Sequence, residues 1–353
     1  MTWFRRELRL ALALVLTLLA ARPDVSAAPD TRTVLDSAGR KVDVPARVER
    51  VYAAGVPASV LVYTLAPEKL LGWPRAPRDE ERAFLGRYAD LPVLGRLTGR
   101  ENTANVEVVL RARPDLILDY GATTATYASL ADRIQKQSGI PYVLLNGDLS
   151  GIPDAYRLLG DILGVSQRGQ ELAAYAERLL SDVDRRVARV APDRRPRVYY
   201  ARGPRGLETA LRGSINVETL DRLGARNVAG ERPTGGGLAT VSMEQVLGWN
   251  PEVIVTIDAD FAAAVRSDPL WQSVAAVRAG RVYLAPLIPF AWIDFPPSVN
   301  RLVGLPWLGR ILYPDVFRED LRAGTRDFYA RFYHRAPDDA QVTALLEAGR
   351  PTK

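Results

Sequence analysis

The chain has no cysteine, one histidine and two methionines in 353 residues. The missing cysteine excludes disulfides, thiol nucleophiles, thiolate metal sites and a lipid carried on an N-terminal cysteine. One histidine, His334, cannot build the His-rich site that a bare zinc, nickel or copper ion takes. It also leaves Ser-His-Asp and Cys-His systems without their parts. An enzyme would be left with a carboxylate, such as Asp294 or Asp258, or with one of four lysines, Lys41, Lys69, Lys136 and Lys353. No basic run interleaved with aromatics is present, and the formal charge of +6 is mild, so nucleic acid is not an expected partner.

Long apolar runs are also missing after the first 30 residues. Arg5, Arg6 and Arg9 lead into Leu10 to Ala21, about a dozen apolar residues, where a membrane span needs about 20. Val25-Ser26-Ala27 is a small-residue cleavage site. Residues 1–27 therefore read as a secretory signal, and the mature chain as a soluble periplasmic protein. The signal carries Arg5, Arg6, Arg9 and Arg22 against Glu7 and Asp24, a net +2, which leaves the mature chain near +4 (+6 minus +2). That balance suits an anionic ligand. A mature length of about 325 residues is long for one core and comfortable for two.

What the chain does contain is an echo. Asn105 to Tyr120 (NVEVVLRARPDLILDY) and Ser242 to Ile257 (SMEQVLGWNPEVIVTI) align without a gap at an offset of 137 (244 minus 107). Glu107/Glu244, Val109/Val246, Leu110/Leu247, Pro114/Pro251 and Ile117/Ile254 are identical. Each copy reads as a polar cap, a short helix, Pro plus acid, and a buried strand, which implies two similar lobes and a cleft. Glu107 and Glu244 fall on the helices and read as scaffold.

Around the echoes, Thr33 to Pro45 alternates about Ser37-Ala38-Gly39 as a hairpin. Short strands are predicted at Val48 to Ala54, Val93 to Gly95, Leu116 to Leu118 and Pro141 to Leu145, with helices at Ala58 to Leu65 and Tyr127 to Gln137. From Gln167 to Val190, apolar residues recur at helical steps (Leu172, Ala176, Leu179, Val183, Val187, Val190), a helix of about 30–35 Å. Pro192 to Pro196 breaks it. The pattern then restarts, with strands at Arg197 to Tyr200, Val253 to Thr256 and Val282 to Leu284. Helices follow at Val217 to Leu223, Pro296 to Leu312, Asp320 to Tyr333 and Asp338 to Glu347. Gly235-Gly236-Gly237 lacks a following Gly-Lys-Ser/Thr and reads as a surface loop. Phe328, Tyr329, Phe332 and Tyr333 follow helical spacing and read as core.

The resulting fold class is α/β: two Rossmann-like lobes with central parallel sheets, joined by a single long helix, with a ligand cleft between them. The expected divisions are a 28–160 N-terminal lobe, a 161–195 linker helix and a 196–353 C-terminal lobe. In open α/β sheets, ligands sit outside the carboxyl ends of strands. Those positions nominate Tyr52, Trp73, Arg75 and Tyr120 in the first lobe. In the second they nominate Tyr200, Arg202, Arg205, Trp292 and Arg301. Aromatics give flat apolar contact, and arginine gives a fork for carboxylate or oxyanion.

Asp36-Ser37-Ala38-Gly39-Arg40 with Val42, Val44-Pro45 and Arg50-Val51, followed by Asn105-Val106-Glu107 through Pro114-Asp115-Leu116-Ile117, resembles a known family. Gly206-Leu207-Glu208-Thr209, Gly213-Ser214, Leu223 to Val228, Pro296-Pro297-Ser298 with Arg301, Gly304 to Leu308 and Leu312-Tyr313-Pro314 extend the likeness. The chain is similar to the periplasmic substrate-binding proteins of the helical-backbone class, which serve ABC importers of iron-siderophores, haem, cobalamin and some oxyanions. The resemblance implies a monomeric binder without catalysis or cofactor, delivering its ligand to an inner-membrane permease. It implies one docking acid per lobe. Glu218 stands at the second-lobe position, whereas the stretch after Tyr120, GATTATYASL, has no acid. The ligand expected is an iron(III) chelate or similar metal complex, which needs no His or Cys from the protein. Molybdate or tungstate is the alternative within the class, and an exported carboxylate-dependent enzyme the alternative outside it.

Overall fold

The computed structural model describes residues 30–99, 102–231 and 237–348. The expected signal, 1–27, and Gly235-Gly236 of the glycine loop lie outside the described residues. Strands β1 (Thr31–Leu35) and β2 (Lys41–Pro45) form the expected antiparallel hairpin. Strands β3 (Val51–Ala53), β4 (Leu116–Gly121) and β5 (Tyr142–Asn146) make a parallel sheet in the order β3-β4-β5. The second parallel sheet has the order β11-β10-β6-β8. Its strands are β6 (Arg197–Ala201), β8 (Arg226–Asn227), β10 (Val253–Thr256) and β11 (Val282–Leu284). Strands β7 (Glu208–Ala210) and β9 (Leu238–Thr240) pair beside it as a short antiparallel ribbon.

The echo is visible in three dimensions. Asn105 caps helix 106–112 by accepting the Val108 N–H at 3.1 Å, and Ser242 caps helix 243–249 by accepting the Gln245 N–H at 3.3 Å. Each helix ends on a left-handed residue, Arg113 (φ 47°) or Asn250 (φ 41°), just before its proline. Val109 and Val246 are fully buried, and Glu107 and Glu244 are exposed on the first turns, where a negative charge favours the helix dipole. The echoed strands then take equivalent places. Ile117 of β4 lies between Tyr52 and Tyr142, and Ile254 of β10 between Tyr199 and Val282.

The long helix spans Ser166–Val187, starting one residue before the expectation and ending three before it. Its buried stripe runs through Leu172, Ala173, Ala176, Leu180, Val183 and Val187; Leu179 is only partly buried. It meets helix 152–162 at Gly160 and Gly169, where a Cβ on Gly169 would stand 2.6 Å from the Tyr156 carbonyl oxygen. Only glycine lets the backbones approach so closely.

Two expected elements differ. The helix predicted from Pro296 starts at Arg301. Residues 291–300 instead form a loop held by the Asn300 side chain, which donates to the carbonyls of Ala291, Asp294 and Pro296. Val93 contributes only an isolated bridge to Trp73. Four helices among the described residues are not expected from the sequence: 79–85, marked by its acidic first turn Asp79-Glu80-Glu81, 152–162, whose buried Ile152, Ala155, Tyr156, Leu159 and Ile162 follow helical steps, and the short 259–264 and 275–278. Phe328, Tyr329, Phe332 and Tyr333 are core, as read. Among the described residues, no helix is long and apolar enough to cross a membrane.

Candidate functional site

A cleft of about 560 Å³ opens where residues 75–81 of the first lobe face the ends of β6, β10 and β11. The second-lobe wall is made by Arg202 and Gly203 after β6, by Glu208 of β7, by Ile257 and Asp258 after β10, and by residues 287–295 after β11. This is the carboxyl end of the parallel sheet, where the fold leaves backbone groups and loop side chains free to meet a ligand. The first-lobe wall does not come from strand ends. It comes from Arg75, Ala76, Arg78 and Glu81, at the start of the unread helix 79–85.

Arg75 and Arg202 thus meet across the cleft, each already seated on carboxylates. Arg75 Nη1 and Nη2 donate to the two oxygens of Glu81 at 2.9 and 2.7 Å, and Arg78 adds its N–H and Nε at 2.9 and 2.8 Å. Burial by itself would raise the Glu81 carboxyl, but these donors outweigh it and hold it below its ordinary value. Arg202 Nε donates to Glu208 at 3.1 Å, and its Nη1 donates to Asp294. Asp294 is fully buried and accepts from the Tyr200 hydroxyl at 2.7 Å and from Asn216 Nδ2 at 2.7 Å. Burial raises its carboxyl despite Arg202, Asn216 and Tyr200. The lining itself carries Arg75, Arg78 and Arg202 against Glu81, Glu208 and Asp258 and is formally neutral, with Asp294 buried beneath Arg202. Its apolar part is Ile257, Leu287, Pro289, Ala291 and Phe295, and Phe295 is 51% exposed.

None of the nominated aromatics is on this wall. Tyr52, Tyr120 and Tyr200 sit within β3, β4 and β6 rather than after them, and each is at most 1% exposed. A strand residue in a sheet covered on both faces points into packing, so these three are corrected to core positions. The Tyr52 hydroxyl donates to the Leu94 carbonyl at 2.9 Å. The Tyr120 hydroxyl, buried beside Arg301, has no hydrogen-bond partner. Trp73 is buried behind Arg75, with Nε1–H on the Tyr88 carbonyl at 2.7 Å. Trp292 is fully buried and donates to the Tyr329 hydroxyl at 3.1 Å. Arg205 is exposed in the turn after β6, outside the cleft lining.

Arg301 and Glu218 are displaced further. Arg301 is 0% exposed. It donates to the carbonyls of Ser298 (3.0 Å), Ile215 (3.2 Å) and, across the lobe boundary, Gly147 (2.6 Å). It also donates to Glu218 Oε2 at 2.5 Å. The same oxygen accepts the Leu149 N–H of the first lobe at 2.7 Å. Burial raises the Glu218 carboxyl despite Arg301 and Leu149. These two residues form a seam between lobes, away from the cleft wall. Glu218, expected as a free docking acid, is engaged inside the molecule because the lobes bring Leu149 and Arg301 onto it.

The carboxylates considered for catalysis are also tied. Asp294 is sealed beneath Arg202, and Asp258 caps helix 259–264 by accepting the Phe261 N–H at 3.0 Å. Of the wall residues, only Arg75 and Arg202 were nominated from sequence as ligand contacts; Arg78, Glu81, Glu208 and Phe295 are among those that were not. The Arg78–Glu81 spacing of three residues at a helix start was the available sign.

The chain is similar to the molybdate-binding protein MolA of Haemophilus influenzae, at 26% identity over 93% of this chain and 98% of that one. Its structure superposes on an ABC transporter solute-binding protein of Sulfurospirillum deleyianum with a TM-score of 0.81 and 29% identity, covering 90% of this chain and 99% of the other. Molybdate-bound MolA superposes with a TM-score of 0.73 at 24% identity, covering 87% and 99%, a likeness of fold. A family model described as periplasmic binding protein matches residues 72–288, more than half of the chain. These are solute-binding proteins rather than enzymes. With two lobes, a cleft at the strand ends and that match, the chain belongs to the periplasmic binding protein family, the solute-binding components of ABC transporters.

Proposed function

We propose that this protein captures a bulky metal complex of low net charge, of the ferric chelate type, in the cleft between Arg75 and Arg202 and delivers it to an inner-membrane permease. The carrying observation is the cleft itself. At about 560 Å³ it falls among pockets that hold drug-sized ligands, and its wall is formally neutral with an exposed apolar rim. A small dianion would need donors not already matched by acids, whereas a chelate brings both apolar surface and polar edges. Phe295 and Leu287 offer the apolar contact, and the guanidinium edges of Arg75 and Arg202 offer donors from opposite lobes.

A second reading is molybdate or tungstate, favoured by the name of the Haemophilus relative and by the two arginine forks. A thermal-shift panel separates the two. Ferric hydroxamate complexes, haem and cobalamin form one arm, molybdate and tungstate the other. A saturable rise in Tm with a chelate supports the first reading. A rise confined to the oxyanions replaces it with the second.

A further inference from the structure

Beside the cleft lies a wider groove of about 790 Å³, and Arg75 and Ala76 line both cavities. The groove runs over Pro74, Val93, Leu94 and one face of helix 106–112, where Val108 and Ala112 stand four residues apart. Val93 is 55% exposed, one of five large hydrophobic side chains so exposed among the described residues; another, Phe295, rims the adjoining cleft. Exposed apolar residues gathered along one continuous depression mark a binding surface. Among the described residues, the charged groups on the groove are Arg75 and Arg111, both basic.

We propose that this groove is a subsite for an uncharged or anionic apolar arm of the ligand whose metal centre occupies the cleft. The assignment rests on the chelate reading above. The shared ridge at Arg75 and Ala76 makes the two cavities one path, so a ligand seated at Arg202 can extend over Val93 without leaving the protein surface. Arg75 is balanced by Glu81, so Arg111 is the cation that disfavours a positively charged arm. Arms with aryl or alkyl groups are selected by the area they bury on Val93 and Val108.

The test uses two ferric complexes with the same core and different arms, tris(acetohydroxamate) and tris(benzohydroxamate), with molybdate as a third probe. Equilibrium dialysis with iron or molybdenum quantified on each side gives Kd. Wild-type protein is expected to prefer the benzohydroxamate complex by about tenfold, the order expected for partial burial of a ring. Val93→Asp, at an exposed position that leaves the core intact, is expected to erase that preference and leave acetohydroxamate binding unchanged. Equal affinity of wild type for the two complexes would overturn the subsite while leaving the chelate reading in place. So would a preference that survives Val93→Asp. Binding of molybdate with neither ferric complex bound would overturn both.

Discussion

Two buried arginines divide the interlobe region into a cleft and a seam. Arg202 is 8% exposed and rests on two carboxylates, Glu208 and Asp294, on the wall of the open cleft. Arg301 is 0% exposed and rests on three carbonyls and one carboxylate, two of its contacts closing the boundary between lobes through Gly147 and Glu218. A cation balanced by side-chain acids beside solvent can trade one partner for a ligand. A cation spread over backbone carbonyls cannot move without orphaning them all. Residue type gave both arginines the same expected role, and their partners separate them.

The contrast is tested hardest at the seam. Arg301→Met is expected to cost about 3–5 kcal/mol of stability, since it removes the donor to three carbonyls and leaves Glu218 with the Leu149 N–H alone. Urea unfolding at neutral pH measures it. Next, Arg202→Met is expected to weaken binding of whichever probe shifts Tm by roughly tenfold to a hundredfold, with a smaller stability loss of about 1–3 kcal/mol. The loss is smaller because Asp294 keeps Tyr200 and Asn216. If Arg202→Met destabilises as much as Arg301→Met and spares affinity, cleft and seam are not different in kind.

The smallest effects distinguish Glu81 from Glu218 by sign. Glu81 is held below its ordinary pKa, so its contribution is complete above the unfolded value and is lost as pH falls through the folded one. Glu218 is raised, so the folded state binds its proton more tightly. Its linkage lowers stability as pH rises from the unfolded value through the raised one. Glu81→Gln should therefore flatten the acid limb of the stability profile, and Glu218→Gln the decline above it. Urea midpoints collected from about pH 3 to pH 7 resolve the two limbs. Both variants altering the same limb would contradict the assignment of opposite signs.

Much of the architecture was legible because it is local. Val253–Thr256 and Val282–Leu284 carry runs that only buried strands tolerate, and both were placed to the residue. The echo predicted matching caps and strands, and Asn105, Ser242, Arg113 and Asn250 show them. The site was less legible. Tyr120 and Tyr200 looked like strand-end residues because their strands run three residues and one residue beyond the expected ends, and Tyr52 lies inside its strand, where both faces of the sheet are covered. Glu81 was missed because its role depends on arginines three and six residues earlier folding back onto it.

The sequence by itself determined the two α/β units, the long helix between them and the exclusion of thiol and His-rich metal chemistry. Those follow from periodicity, breakers and composition, which act over a few residues or over the whole chain at once. Only the tertiary structure decided which arginine faces solvent and which is sealed. That outcome depends on Gly147 and Leu149 being brought against Arg301 and Glu218, and on Arg75 being brought opposite Arg202. Contacts between segments more than 60 residues apart are set by how the two sheets pack, and no local pattern encodes that.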